Sequence, residues 1–345
     1  MKGRAAILVE QRKPLVIEEI EMPPLRFGQV LVKVKCSGIC GSQLGEIDGV
    51  KGPDKFLPHL LGHEGSGHVL ECGEGVRHVK PGDHVVLHWR KGNGLEGPAP
   101  QYRSALGTIK AGWVTSFNEL AVISENRLTR VPDSLNPEVA AMMGCAVTTG
   151  FGAVNNNARL RIGESVVVIG AGGIGLNIVQ AAALSGGYPI VAVDLHESRL
   201  ELARTLGATE TLLATGLEVT EEALRELVGS SGADAVIDNT GNPRIIEMAY
   251  RLTADTGRTI LVGVPKKGDC ASIYTLPLHF EKRIEGSHGG EAEPGYDIPR
   301  YVRLHESGKL PITQLVGKRY SLEQVNEAID DMRTGRISGR CMIHL

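Results

Sequence analysis

Two cysteines and a histidine that lie far apart in the sequence are the residues best suited to hold a metal ion. They are Cys40, His63 and Cys145, and the intervals of 23 and 82 positions between them exclude a compact zinc finger. Ligands that converge only in the folded chain are typical of catalytic zinc, which takes three protein ligands and leaves a position for water or substrate. Spacing alone leaves open the alternative that the cysteines are simply buried and the histidine is structural.

A glycine-rich turn between two apolar runs gives a second chemical signal, within residues 165–194. Its pattern is G-x-G-x-x-G at Gly170, Gly172 and Gly175, after a β-branched run and before a helical stretch. Gly170 permits a tight turn, Gly172 lets a phosphate approach the backbone, and Gly175 lets the helix pack closely on the sheet. The combination predicts a dinucleotide site, with an ordinary glycine-rich turn of an α/β protein as the alternative.

The residues after this turn favour one coenzyme over the other. Gly173 and Ile174 begin the helix, whose free N–H groups and dipole suit a pyrophosphate. Asp194 ends the next strand, 19 positions after Gly175, where a carboxylate accepts hydrogen bonds from a ribose and repels a 2′-phosphate. The sequence therefore favours NAD(H), although Arg199 nearby leaves NADP(H) open.

The elements that must position these residues change character along the chain. Short β-rich runs separated by Pro and Gly predict an antiparallel barrel or sandwich before Asn136, where a Pro-containing cap predicts the first helix. From residue 165, six strands alternate with four helices, the pattern of a doubly wound parallel sheet. The predicted strands there are 165–169, 189–194, 210–214, 234–238, 258–264 and 282–286, and the helices 173–185, 197–206, 220–229 and 243–253. After residue 287, two helices (298–307 and 322–333) and a strand (340–344) are too few for a separate core and should rejoin the first domain.

Composition limits the classes of partner. The chain has 345 residues, a formal net charge of −3 and 4% aromatic residues. This length favours two domains, and the charge gives no basic footprint for nucleic acid or an anionic membrane. Six cysteines are too sparse for a disulfide framework, and the first apolar run is too short for a signal peptide. We therefore expect a cytoplasmic protein that acts on a small molecule.

The sequence resembles the zinc-dependent alcohol dehydrogenases of the medium-chain dehydrogenase/reductase (MDR) superfamily, over essentially the whole chain. The matching segments are Gly38–Ser42, Gly62–Gly67, Gly144-Cys145, Gly170–Gly175 with Asp194, and Val262–Pro265. The resemblance implies a GroES-like antiparallel β-barrel catalytic domain (1–147), a Rossmann NAD-binding domain with a six-stranded doubly wound parallel sheet (148–287), and a return to the catalytic domain (288–345). It also implies a homodimer or homotetramer.

For the metal site, the resemblance implies that Cys40, His63 and Cys145 ligate a catalytic zinc. Glu64 would lie beside the metal and be able to approach it, and Ser42 would hydrogen-bond the alcohol and begin the proton path. For the coenzyme, it implies that Thr149, Val262 and Val264 contact the nicotinamide and that Arg340 lies near the pyrophosphate.

Three departures from the family pattern qualify these roles. Relatives with a structural zinc carry four close cysteines in a lobe that corresponds to Lys91 to Trp113, which has none here, so we predict one zinc per chain. Gln43 stands where an aspartate usually supports the zinc-bound histidine, and we expect its amide oxygen to accept the ring N–H. The relay histidine of some relatives is replaced by Gly45, so the proton must leave through Ser42, the coenzyme ribose or water.

Together these features predict hydride transfer between NAD(H) and an alcohol/carbonyl pair. Trp89 and Phe117 are the candidate lining residues of the substrate pocket, and a Trp beside Arg90 favours a polar secondary alcohol such as a polyol, cyclitol or sugar derivative. The equal alternative places Trp89 in the barrel core. For the whole protein, the alternatives are a zinc-free MDR reductase and a non-catalytic coenzyme-binding protein.

Overall fold

The computed structural model, which describes residues Met1–Leu345, divides into two compact units. Unit 1 comprises Met1–Ala146 and Glu293–Leu345, and unit 2 comprises Val147–Ala292. Segments from the two ends of the sequence therefore share one unit, while unit 2 is contiguous.

Unit 1 contains twelve strands, which form two sheets. Its strands are β1 (Lys2–Leu8), β2 (Val16–Glu21), β3 (Gln29–Ile39), β4 (His59–Leu60), β5 (Glu64–Cys72), β6 (His84–His88), β7 (Gln101–Ser104), β8 (Gly107–Lys110), β9 (Leu120–Ser124), β10 (Leu128–Arg130), β17 (Val316–Ser321) and β18 (Arg340–His344). A closed barrel has the order β1-β2-β7-β8-β4, and a seven-stranded sheet runs β10-β6-β5-β3-β18-β17 with β9 also paired to β3. The predicted GroES-like barrel is confirmed, with one parallel pair, β4 and β8, closing it.

The barrel closes because alternate residues of its strands point to one apolar core. Ala5 and Ile7 of β1 meet Ile20, Tyr102 and Ile109 in this core, all of them fully buried. The period of two along each strand sets this burial. A second cluster packs β18 against the C-terminal helix.

The helices of unit 1 lie in short insertions between strands and in the C-terminal segment. They are α1 (Gly41–Asp48), α2 (Pro137–Met142), α8 (Pro294–Glu306) and α9 (Val325–Arg333). As predicted, α2 is capped by Asn136, whose side-chain oxygen accepts the Glu138 N–H. We predicted no helix before residue 136, and α1 corrects this: eight residues carry too little apolar periodicity to be recognised. Strand β17 was also not predicted, and α8 begins four residues earlier than expected.

Unit 2 contains one parallel sheet of six strands, as predicted. The strands are β11 (Val166–Ile169), β12 (Ile190–Asp194), β13 (Glu210–Leu213), β14 (Ala233–Asp238), β15 (Thr253–Leu261) and β16 (Arg283–Gly286), and the helices α3 (Thr148–Gly152), α4 (Gly173–Leu184), α5 (Glu197–Thr205), α6 (Leu217–Val228) and α7 (Pro243–Leu252). The strand order β13-β12-β11-β14-β15-β16 is that of a Rossmann fold, in which ligands bind at the carboxyl ends of the strands where the order reverses. None of the helices is long and apolar enough to cross a lipid bilayer.

Candidate metal and coenzyme sites

The folded chain brings Cys40, His63 and Cys145 together inside unit 1. One ligand atom from each, two sulfurs and a ring nitrogen, all lie within 4.8 Å of one another, and His63 Nε2 is 3.3 Å from Cys145 Sγ. Both cysteines are buried, and His63 is half-buried. Two thiolates and an imidazole are ligands that zinc prefers, so this donor set fits the metal.

Each of the three residues is positioned by a particular local backbone conformation. Cys40 is the N-cap of α1, directly after β3 ends at Ile39. His63 follows Gly62, whose φ of +90° lies in the left-handed region and whose missing Cβ would overlap Phe117 and the Ser116 hydroxyl. Cys145 lies in a π-helical turn over Met143–Val147, a rare conformation that often marks functional sites.

The thiols of Cys40 and Cys145 have pKa values that shift in opposite directions. A hydrogen bond between them lowers the pKa of the Cys40 thiol well below its usual value, against the opposing effect of burial, and the charge of Arg340 adds to the lowering. The same hydrogen bond and burial raise the pKa of Cys145. A bound cation would favour the thiolate form of both cysteines.

A buried ion pair lies beside this triad. Arg340 Nε donates to Glu64 Oε1 at 2.8 Å, its Nη2 donates to Glu64 Oε2, and the Ala146 N–H donates to Oε2 at 3.1 Å. Burial would lower the pKa of Arg340, but the charges of Glu64 and Cys40 raise it well above the usual value. The contact requires Gly38, because a Cβ there would overlap the Glu64 carboxylate.

This pair bears on two of the residues implied by the family resemblance. Both carboxylate oxygens of Glu64 are engaged by Arg340 and the backbone, so approach to a metal would require those bonds to break. The Arg340 guanidinium, expected near a pyrophosphate, is almost completely buried against Glu64. A coenzyme role for Arg340 stays a prediction.

The amide of Gln43 is oriented opposite to the expectation from sequence. The Cys40 N–H donates to Gln43 Oε1 at 2.8 Å, and Gln43 Nε2 contacts His63 Nδ1. The expected acceptance of the ring N–H by the amide oxygen is therefore wrong for this structure. The physical reason is the helix start: Cys40 is the N-cap of α1, its N–H needs an acceptor, and Gln43 at the third helical position supplies it.

The residues predicted to surround a substrate lie in different environments. Ser42 is exposed in the first turn of α1. Trp89 is half-buried, with its ring centroid 6.4 Å from that of His63 in an edge-on arrangement and the Arg90 guanidinium 6.0 Å from the indole. Phe117 is fully buried in the apolar cluster that includes Ile343, so the structure removes it from the predicted pocket lining.

In the glycine-rich turn of unit 2, each of the three glycines is suited to its position for a different geometric reason. Gly170 has a φ of +91°, which suits only glycine. A Cβ on Gly175 would overlap the Gly170 carbonyl, whereas a Cβ on Gly172 would meet no atom within 4 Å. The space beside Gly172 is open in the protein alone, as a phosphate cradle requires. Helix α4 begins at Gly173, followed by Ile174, with no side chain capping its free N–H groups.

Asp194 ties the end of β12 to this turn. Its Oδ2 accepts the Ala171 N–H at 2.8 Å, its Oδ1 accepts the His196 N–H at 3.0 Å, and Arg199 Nη1 lies 3.5 Å from Oδ1. Asp194 is 7% exposed. The carboxylate thus shapes the turn itself, and Arg199 partly neutralises it.

The remaining predicted coenzyme residues also lie in unit 2. Thr149 is buried in α3, and its hydroxyl has no hydrogen-bond partner in the protein, which leaves a polar atom for a ligand or water. Val262 is half-buried after β15, and Val264 is 67% exposed.

Sequence reasoning missed one residue that organises the turn region. Asp238 ends β14, is fully buried, and accepts the N–H groups of Thr240 at 2.9 Å and Gly241 at 3.0 Å. Burial raises the pKa of this carboxyl, against the hydrogen bonds that it accepts. Its signal is the one that identified Asp194: an acid at the end of a buried apolar strand.

Comparisons with known proteins bear on both units. One family model, described as an alcohol dehydrogenase GroES-like domain, matches residues 26–133, and another, described as a zinc-binding dehydrogenase, matches residues 173–307. The chain is 35% identical to an NDMA-dependent alcohol dehydrogenase from Amycolatopsis methanolica, with 97% of each chain covered.

Solved structures agree with these matches. An alcohol dehydrogenase zinc-binding domain protein from Burkholderia ambifaria has a TM-score of 0.90 and 30% identity, and benzyl alcohol dehydrogenase from Acinetobacter calcoaceticus has a TM-score of 0.89 and 29% identity. Each match covers 100% of this chain and 99% of the other.

Proposed function

Because the chain belongs to the zinc-dependent alcohol dehydrogenases of the MDR superfamily, we propose that it transfers a hydride between NAD(H) and a polar secondary alcohol or its carbonyl product. The observation that carries the proposal is the convergence of Cys40, His63 and Cys145 within 4.8 Å. Two cysteines and one histidine are the ligand set of catalytic zinc in alcohol dehydrogenases.

Cys40, His63 and Cys145 would hold the metal, leaving one coordination position for substrate. When bound, zinc supplies a Lewis acid that favours the deprotonated alcohol and polarises the carbonyl. The chain itself supplies the charge balance: two thiolates offset the divalent cation, and the Arg340 guanidinium offsets Glu64. Ser42, exposed at the start of α1, would take the alcohol proton through its hydroxyl and pass it on to water or to the coenzyme ribose.

The preference for NAD(H) is supported by Asp194. Its carboxylate lies against the glycine-rich turn, where the negative charge disfavours a 2′-phosphate. Arg199, 3.5 Å away, weakens this preference without removing it. The open space at Gly172 and the uncapped start of α4 would receive the pyrophosphate, and the unpartnered Thr149 hydroxyl would be available to the nicotinamide.

A polar substrate is supported by the surroundings of His63. Trp89 stands edge-on to the imidazole, and Arg90 brings a cation to within 6.0 Å of the indole. Because Trp89 is half-exposed, the alternative that it fills the barrel core is disfavoured. An aromatic wall with a neighbouring guanidinium suits a substrate with further hydroxyl groups or a negative charge, such as a polyol, a cyclitol or a sugar derivative.

The first test is metal content of the purified protein, with NAD and NADP binding titrated on the same sample. We expect about one zinc per chain, as a three-ligand catalytic site without a structural one requires, and tighter binding of NAD. Zinc-free protein that still reduces a substrate would support a zinc-free MDR reductase, and coenzyme binding without turnover would support a binding protein. Turnover of short unsubstituted or benzylic alcohols alone, in a panel with polyols and cyclitols, would contradict the substrate class.

A further inference from the structure

The loop that follows β6, residues 89–96, carries both side chains that we assign to the wall of the substrate pocket. Trp89 and Arg90 lie at its start, and the Trp89 ring centroid is 6.4 Å from that of His63. The loop contains no helix or strand. Its backbone groups therefore need partners from neighbouring segments, and those partners determine its conformation.

These partners come from one 3₁₀ turn, Glu125–Arg127, which joins β9 to β10. The Gly92 N–H donates to the Asn126 carbonyl at 2.8 Å, and the Asn126 N–H donates to the Leu95 carbonyl at 3.0 Å. The Glu125 side chain adds a third bond, because its Oε2 accepts the Leu95 N–H at 2.7 Å. The turn thus holds the loop at two positions, and one of the three bonds depends on a side chain.

The Glu125 carboxylate is committed to N–H donors on both of its oxygens. Its Oε1 accepts the N–H of Arg77 at 2.6 Å and that of His78 at 2.7 Å, while Oε2 accepts from Leu95. Burial would raise the pKa of this carboxyl, but the three N–H groups hold it below its usual value. Glu125 is 1% exposed. Neither oxygen can be replaced by a donor without the loss of a buried hydrogen bond.

A glycine shows how closely the loop approaches this carboxylate. Gly94 has a φ of +99°, in the left-handed region, and a Cβ there would overlap the Glu125 side chain. The contact between loop and carboxylate therefore requires both the conformation and the small size of glycine at position 94.

We propose that Glu125 is a positioning residue for substrate binding, which holds loop 89–96 against the turn and so fixes Trp89 and Arg90 beside the metal ligands. The inference rests on the proposed function, because it takes these two side chains to be the wall that a polar substrate meets. Glu125 itself is buried, so it acts on the substrate only through the loop.

Glu125→Gln keeps one acceptor oxygen and replaces the other by an NH2 group. Because two N–H groups share one carboxylate oxygen, we expect the amide oxygen to stay with Arg77 and His78 and the NH2 to face the Leu95 N–H. For a polyol or cyclitol of the activity panel, KM should then rise by about tenfold with kcat nearly unchanged, since a displaced wall weakens binding without altering the reacting groups.

Asp83→Asn is the matched control for this variant. Asp83 is also a buried carboxylate that accepts a backbone N–H, that of Lys80 at 2.9 Å, and it lies outside the loop and the turn. We expect the wild-type KM in Asp83→Asn. An equal rise of KM in the two variants would overturn the proposal, because any buried carboxylate of unit 1 would then have the same effect.

Gly94→Ala displaces the same loop without a change of charge. Its control is Gly107→Ala, because Gly107 has a similar φ of +95° but a Cβ there would meet no atom within 4 Å. Both variants carry backbone strain, and only Gly94→Ala also overlaps Glu125. We expect KM to rise in Gly94→Ala alone, and equal KM values in the two glycine variants would overturn the proposal.

A second readout follows the loop without dehydrogenase turnover. The chain has two tryptophans, so Trp89 is the only one left in a Trp113→Phe background, in which Phe keeps an aromatic face for the Arg127 guanidinium. Quenching of Trp89 fluorescence by acrylamide should increase in Glu125→Gln and Gly94→Ala and stay unchanged in the two controls.

Unchanged quenching in Glu125→Gln and Gly94→Ala would overturn the proposal, whatever the kinetics give. Increased quenching with an unchanged KM would overturn it as well, because the loop would then be held for the fold alone. Increased quenching in a protein whose wild type oxidises no alcohol would support the role of Glu125 in holding the loop and count against the proposed function alone.

Discussion

The metal site of unit 1 and the glycine-rich turn of unit 2 are built in opposite ways. The metal site draws its three ligand side chains from three separate segments and surrounds them with further side chains, as the pair of Glu64 with Arg340 shows. The turn draws on one continuous segment, residues 165–194, and offers mainly backbone N–H groups and open space.

The difference determines how each site can fail. A site of converging, buried side chains depends on charge balance, because each group that loses its partner is left in a low-dielectric surrounding. A backbone cradle depends on volume, because a single added methyl group occupies the space of the ligand or of the turn. Four predictions test this contrast.

The largest effect is expected when a metal ligand is removed. Cys40→Ala should lower kcat by about 1,000-fold or more, since the Lewis acid contributes several kcal/mol to the reaction. NAD affinity, measured by fluorescence titration, should be unchanged because the turn lies in the other unit. Cys270→Ala, at an exposed cysteine, is the control. Activity that survives loss of the metal would contradict the assignment.

The next effect concerns stability. Arg340→Met leaves the Glu64 charge buried without a partner and should lower the free energy of unfolding by about 3–5 kcal/mol. Both tryptophans of the chain, Trp89 and Trp113, belong to unit 1, so urea unfolding followed by tryptophan fluorescence reports on that unit alone. Lys2→Met breaks an exposed ion pair and should leave the same transition unchanged. If the two variants unfold at the same urea concentration, the buried pair of Arg340 with Glu64 contributes nothing to the free energy of unfolding.

Two glycine variants distinguish the volume that the coenzyme would occupy from the volume that the packing of the turn itself requires. Gly175→Ala forces a Cβ onto the Gly170 carbonyl and should destabilise unit 2 by about 1–3 kcal/mol, seen as a lower melting temperature. Gly172→Ala meets no protein atom, so we expect normal melting but about tenfold weaker NADH binding, the equivalent of 1.4 kcal/mol. If Gly172→Ala binds NADH as tightly as the wild type does, the coenzyme pyrophosphate does not bind beside Gly172.

The smallest effect is expected at the ribose end. Asp194→Asn removes the charge but keeps an oxygen for the turn, and should narrow the preference for NAD over NADP by about tenfold. Glu197→Gln, whose carboxylate contacts Arg204 at the surface, should leave the preference unchanged. The ratio of kcat/KM for the two coenzymes is the measurement, and an unaltered ratio in Asp194→Asn would assign the preference to other residues.

The same contrast explains what the sequence could predict. The six strands of unit 2 and the four helices α4 to α7 were predicted because apolar runs, glycines and caps are local signals, whereas α3 was not predicted. The bond between Arg340 and Glu64 was not, because it joins residues 276 positions apart and depends on β18 pairing with β3. The amide orientation of Gln43 depends on α1, a helix with too weak a pattern to be recognised. Phe117 was misplaced because an aromatic residue near a site and one in a core look alike in sequence.

The pairing of β18 with β3 also sets an order of events during synthesis. Unit 2 is one uninterrupted stretch and can fold as the ribosome releases it, since domains generally fold as units. The strand that carries Arg340 is translated only after the whole of unit 2. Until then, the Glu64 carboxylate has no guanidinium to pair with. A nascent chain can therefore complete its coenzyme unit before the ion pair beside the three metal ligands can form.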